Sequence, residues 1–68
     1  MSAPICVLVN GDEREVPAGT GLRALLALLG VPDRFVAVEH NGDLLEPGAD
    51  RPLAGGDRVE IVRFVGGG

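Results

Sequence analysis

The sequence predicts an α+β domain in which one α-helix lies across a single mixed sheet of four to five strands. Three observations predict it. Two Asn-Gly pairs, Asn10-Gly11 and Asn41-Gly42, each follow an apolar or alternating run, the short-range signal of a hairpin turn. One leucine-rich stretch between them has helical spacing. The length of 68 residues allows one domain only, of a size at which a core barely suffices without disulfides or metal.

The elements follow in order. "ICVLVNGDEREVP" reads as a hairpin, with an apolar strand from Ile5 to Val9, the Asn-Gly turn, and a short polar return strand ending at Pro17. Ile5, Val7 and Val9 point one way and Cys6 and Leu8 the other, so the first strand is apolar on both faces, as in a central strand or one whose second face meets a partner. In "TGLRALLALLG", Thr20 is placed to cap a helix whose Leu22, Leu25, Leu26 and Leu29 make one buried face. Gly30 supplies a left-handed stop and Pro32 prevents resumption. Ala24 and Leu28 fall off that stripe and read as flank packing rather than a docking site. Alternation from Phe35 to His40, the second Asn-Gly pair and a short apolar return through Leu44 and Leu45 make the next hairpin. Between Pro47 and Gly56 the chain is an irregular connection with Leu53 as its core anchor. In "DRVEIVRFV", Val59 and Ile61 alternate with Arg58 and Glu60, after which Val62 and Phe64 make the other face apolar too.

Strand, strand, helix, strand, short strand, strand is packed most economically by laying the leucine face on one side of one sheet, the β-grasp solution. A right-handed helical crossover brings the later strands beside the first, and leaves open that the last strand pairs parallel to it in the centre. In that case the chain beyond that strand leaves from the rigid middle of the domain.

Composition narrows the function. Apolar residues make up 46%, yet there is no Trp or Tyr and only Phe35 and Phe64, so the core is aliphatic and stacking on bases is hardly available. A net charge of −4 repels nucleic acid and anionic membranes and favours a basic partner surface. All six basic residues are Arg, which leaves no internal lysine for isopeptide chain building. Cys6 is the single cysteine, which excludes an internal disulfide, and one thiol is no metal site. The opening "MSAPICVLVNG" has neither a basic start nor a long apolar stretch, so no signal peptide or membrane span is expected and the cytoplasm is the expected compartment.

Few side chains offer chemistry. "GDEREVPAGTG" lacks a Gly-Lys-Ser/Thr ending and follows a hairpin turn, so any nucleotide is expected to be bound by another protein. Cys6 alternates within a strand and reads as a small buried hydrophobe. His40 stands just before a turn with no Ser, Cys or metal-ligand neighbour at useful spacing, and reads as a solvent-facing or strand-end residue rather than a catalytic base. Asp12, Glu13, Glu15, Asp43, Glu46 and Asp50 are expected in turns and connections as solvated charge, an acidic docking face being the lesser reading. Leu8, Val62 and Phe64 are sharper. A sheet face turned away from the only helix should be wet and polar, so apolar residues there mark partner docking.

That leaves Gly66, Gly67 and Gly68 at the end of the sequence. A C-terminal carboxylate is a poor electrophile, but as an acyl-adenylate it accepts sulfide, a persulfide or an amine. A thread without Cβ atoms enters a channel that excludes larger residues, and three to four extended residues reach roughly 10–14 Å beyond a fold. The expected organisation is a β-grasp domain over residues 1–65 and a flexible tail over residues 66–68, the domain serving as a handle and the tail as a delivery arm. A passive interaction module with a merely flexible end is the competing reading from another class.

The stretches "VLVNGDEREVPAGTGLRALLALLGV", "VAVEHNG" and "GDRVEIVRFVGGG", in this order and spacing, resemble the ThiS-type sulfur carriers of thiamin thiazole biosynthesis, a ubiquitin-like β-grasp family. The resemblance implies that a ThiF-type adenylyltransferase, using ATP and magnesium, adenylates the carboxylate of Gly68. Sulfur then replaces AMP to give a thiocarboxylate, and a ThiG-type thiazole synthase receives it. It also implies that Gly66 and Gly67 thread the tail, that Leu8, Val62 and Phe64 dock both partners, and that the chain is a protein co-substrate binding no cofactor or metal of its own. Related carriers for molybdopterin synthesis or tRNA thiolation, and ubiquitin-like modifiers, share the activated glycine. Two departures stand out: His40 where such sequences commonly carry an aliphatic residue, and "LLEPGADRPLAGG" without an Arg directly after the proline.

Overall fold

The computed structural model describes residues 3–32, 34 and 36–64. In chain order the elements are β1 (Ile5–Val9), β2 (Asp12–Val16), α1 (Leu22–Leu28), β3 (Val36–His40), β4 (Asp43–Leu44) and β5 (Arg58–Arg63). The five strands form one sheet in the order β2-β1-β5-β3-β4, with β5 parallel to β1 and antiparallel to β3. This is the ubiquitin-like β-grasp arrangement, with the last strand in the middle, the pairing that the sequence left open. The strand start expected at Phe35, the boundary at residue 65 and the assignments at Gly66, Gly67 and Gly68 lie outside the described residues.

Both Asn-Gly pairs make two-residue turns. Asn10 and Asn41 stand at φ 50° and 51°, followed by Gly11 and Gly42 at 86° and 89°. These are the paired left-handed conformations of a type I′ turn, whose twist matches that of the strands it joins. Asp12, Glu13 and Glu15 belong to β2, the polar return strand read from the sequence, and Asp43 to β4, so that of the carboxylates placed in turns and connections only Glu46 and Asp50 lie there. Each turn is tighter than the charge pattern suggested.

Helix α1 buries Leu22, Leu25 and Leu26, while Leu29 lies at the C-cap, half-buried against the same core. Its end is as predicted: Gly30 at φ 69° is followed by bonds from Gly30 N–H to the Ala27 carbonyl (3.1 Å) and from Val31 N–H to the Leu26 carbonyl (2.9 Å). That pair of bonds is a Schellman motif. The start differs from expectation. Gly21 is the N-cap, and the Thr20 hydroxyl donates backwards to the Pro17 carbonyl at 2.6 Å instead of capping the helix. The loop before β5 takes over: Leu22 N–H donates to the Arg51 carbonyl (2.8 Å) and Arg23 N–H to Asp50 Oδ1 (3.0 Å). Two of the amide groups that every helix start leaves open are thereby satisfied. Leu28 is 65% exposed and Ala24 is exposed, so neither packs on a flank.

The core lies between α1 and one face of the sheet, where Val7, Val9, Val16, Val38 and Val59 meet the three helix leucines and Leu53. Strand alternation then assigns the opposite face. Cys6 is on that outer face and exposed, not a buried hydrophobe, because Val7 and Val9 have already claimed the inward register of β1. His40 moves the other way. It ends β3 as expected but faces inward and is only 7% exposed, since it shares the register of Val38 and pairs with Val59. An aliphatic residue would fit that position, which explains why the histidine looked out of place in the sequence.

Candidate functional site

The buried histidine first needs an account, because a buried His beside an Asp is a common catalytic pair. His40 Nε2 lies 2.8 Å from Asp57 Oδ2, and Arg51 Nη1 approaches His40 Nδ1 at 3.4 Å while holding Asp43 at 3.1 Å. Nδ1 can accept from the guanidinium while Nε2 donates to the carboxylate. Asp57 also accepts from Ala54 N–H (2.9 Å) and from Asn41 Nδ2 (3.2 Å). These bonds, that from Ala54 most of all and then that from His40, hold its carboxyl at about 2, below the ordinary 3.8. Among the described residues no buried side-chain polar atom lacks a partner, and the cluster reads as a polar latch at the start of β5.

The helix-side surface has a broad, open hollow of about 410 Å³ lined by Val9, Asn10, Leu29, Val31 and Ile61, and a smaller one. The smaller, lined by Leu22, Leu26, Val38 and Leu45, encloses about 30 Å³, enough for a water or two. Among the described residues no group of His, Cys, Asp or Glu is arranged to hold a metal ion.

The outer face of the sheet is different. From the far end toward the tail it carries Cys6, then Leu8 beside Arg58, then Glu60 directly opposite Glu39, then Val62 opposite Ala37. Val62 is 53% exposed and Phe64, the residue after β5, is 59% exposed. The structure therefore brings Val62 and Phe64 together at the root of the tail. Leu8 is half-buried and set level with Arg58, roughly 13 Å along the strand from Val62 at 3.3 Å per residue. The three predicted docking residues share a face but form no continuous patch, because the Glu39–Glu60 pair lies between them.

Carboxylates dominate what remains of that face. Glu13 pairs with Leu8 and Glu15 with Cys6, joining Glu39 and Glu60, against the guanidinium of Arg58 and the exposed Leu44 beside Glu39, among the described residues. Two glutamates directly opposite one another in an antiparallel ladder repel and cost stability. Of the carboxylates singled out in the sequence, Glu13 and Glu15 lie on this face, and strand alternation adds Glu39 and Glu60.

Comparison with known proteins fits this geometry. The sequence pattern of the ThiS family matches residues 7–68. A thiazole synthase from Paramagnetospirillum magneticum is 42% identical over 64 residues, covering 91% of this chain and 20% of that protein. Another, from Magnetococcus marinus, is 39% identical over 62 residues, covering 88% of this chain and 19% of that protein. The chain spans about a fifth of the length of these two relatives. The crystal structure of the thiamine biosynthesis protein ThiS from Geobacter metallireducens superposes with a TM-score of 0.68 at 34% identity, covering 94% of this chain and all of that one.

Proposed function

Because the chain belongs to the ThiS family, we propose that it is the sulfur carrier of thiamin thiazole biosynthesis, a protein co-substrate that carries sulfur on the carboxyl group of Gly68. The observation that carries this reading is that the family pattern runs through residue 68, taking in all three glycines that follow β5. A ThiF-type adenylyltransferase is the activating partner, supplying ATP and magnesium from its own site. The Gly68 carboxylate attacks the α-phosphorus of ATP and pyrophosphate leaves. A sulfur nucleophile then adds to the acyl carbon of the mixed anhydride and AMP departs, leaving the thiocarboxylate. The chemistry requires Gly68 to end in a free carboxylate.

A ThiG-type thiazole synthase is the acceptor on this reading. The likeness to segments of two proteins named thiazole synthase supports it over acceptors in molybdopterin synthesis or tRNA thiolation. Val62 and Phe64 at the tail root, with Leu8 further along the same face, are the docking residues, and Gly66 and Gly67 are slim enough to thread into either active site. The domain itself performs no chemistry. The acidic outer face selects partners with a basic rim and the cytoplasm is the compartment of the cycle.

Intact-mass measurement tests the reading. After incubation with the adenylyltransferase, ATP and a sulfur source, the chain gains about 16 Da at Gly68 as oxygen is exchanged for sulfur. Removal of Gly67 and Gly68 abolishes the gain and leaves the fold intact. An unchanged mass for the full chain sinks the proposal.

A further inference from the structure

Strand β5 runs past β1 toward its end and begins one residue before its pairing with β3. β3 stops at His40 and β1 at Val9. Where each stops, the asparagine of an Asn-Gly turn continues the pairing. At the start of β5, Asn41 Oδ1 accepts from Arg58 N–H at 2.8 Å while Asn41 N–H donates to the Arg58 carbonyl at 2.8 Å. On the other flank, Asn10 N–H donates to the Val59 carbonyl at 2.9 Å and its side chain meets Ile61. There Oδ1 accepts from Ile61 N–H at 2.7 Å and Nδ2 donates to the Ile61 carbonyl at 3.1 Å.

In an antiparallel ladder a residue turns its N–H and C=O to the same side, and Ile61 turns both toward the flank that β1 has left. One carboxamide therefore stands in for a strand residue, offering a donor and an acceptor at the spacing of a peptide group. Beyond Ile61 the sheet holds β5 through β3 alone, at Ala37–Val62 and Val36–Arg63. The exposed Val62 and Phe64 and the glycines all follow this last two-sided point.

We propose that Asn10 is a positioning residue for the reaction at Gly68: its amide clamps β5 at Ile61, so that Val62 and Phe64 are presented in one arrangement to the activating enzyme. The proposal rests on the sulfur-carrier reading. A strand end that is already ordered need not be ordered on docking, so the clamp acts on the affinity of the carrier for its enzyme and not on the chemical step once bound.

Glycine is the replacement that isolates this role. Asn10→Gly removes the amide and still permits a φ of 50°. Asn41→Gly is the matched control, the same dipeptide at the end of β5 remote from the tail. In ATP-dependent adenylation of the full chain, Asn10→Gly is expected to raise the carrier's KM roughly five- to tenfold with kcat unchanged, and Asn41→Gly to leave both within about twofold. Amide hydrogen exchange supplies a readout independent of the enzyme: Ile61 N–H exchanges faster in Asn10→Gly and at the wild-type rate in Asn41→Gly. Equal KM changes in the two variants, an effect on kcat instead, or unchanged Ile61 exchange in Asn10→Gly overturns the clamp. A wild-type chain that gains no adenylate overturns the carrier reading and the clamp's role with it, whatever the exchange at Ile61.

Discussion

Asp57 shows how much one side chain can organise. Its carboxylate gathers Ala54, His40 and Asn41, and so ties the last connection to the ends of β3 and its turn. Its folded-state pKa of about 2 lies below the ordinary 3.8, so the stabilisation is complete above the higher value and is lost as pH falls through the lower one. Near neutral pH this is worth on the order of 1–2 kcal/mol, held below the full linkage figure because solvent still reaches an edge of the group. Asp57→Asn is expected to remove most of that and to flatten the dependence of stability on acidity between about pH 4 and 2. Urea denaturation across that range checks it, and an acid limb identical to wild type would contradict the assignment. His40 illustrates why this was hidden in the sequence. Its partner is 17 residues away and becomes a neighbour only when β5 enters beside β3. Cys6 failed to declare its exposure for a related reason: strand alternation gives two registers, and only the position of the helix says which is inside.

At the scale of elements, what was readable was local. The Asn-Gly turns and the Gly30 stop need only adjacent residues, and both appear where the sequence puts them. The helix start needed Asp50, 27 residues beyond Arg23, and no pattern around Thr20 reveals a cap supplied from that distance. With seven residues, α1 is too short to persist alone and depends on its leucine face and this borrowed cap. Asp50→Ala is expected to destabilise the domain by about 1 kcal/mol, through the loss of the bond to Arg23 N–H and of a negative charge at the positive end of the helix. A lowered denaturation midpoint at constant m-value would show it, whereas an unchanged midpoint would mean that solvent replaces the carboxylate at no cost.

For the molecule as a whole, the central and parallel placement of β5 decides what the protein can be used for. That placement was open to the sequence reading, because a helical crossover returns the later strands to lie beside the first. The division of the outer face by Glu39 and Glu60 was not, since it arises only when the two strands come into register. Val62→Asp tests the tail-root end of the face: at 53% exposure the change is expected to cost less than about 1 kcal/mol of stability, yet to reduce thiocarboxylate formation at least about tenfold. Melting and intact-mass assays run side by side would separate the two effects, and a variant that reacts at the wild-type rate would remove Val62 from the docking surface. A mechanical consequence follows from β5 being flanked on both sides. A pull along the axis of β5 would load its ladders with β1 and β3 in shear, so that their bonds share the strain. An edge strand hauled sideways would unzip one bond at a time. The domain is thus built to be tugged along that axis without unravelling.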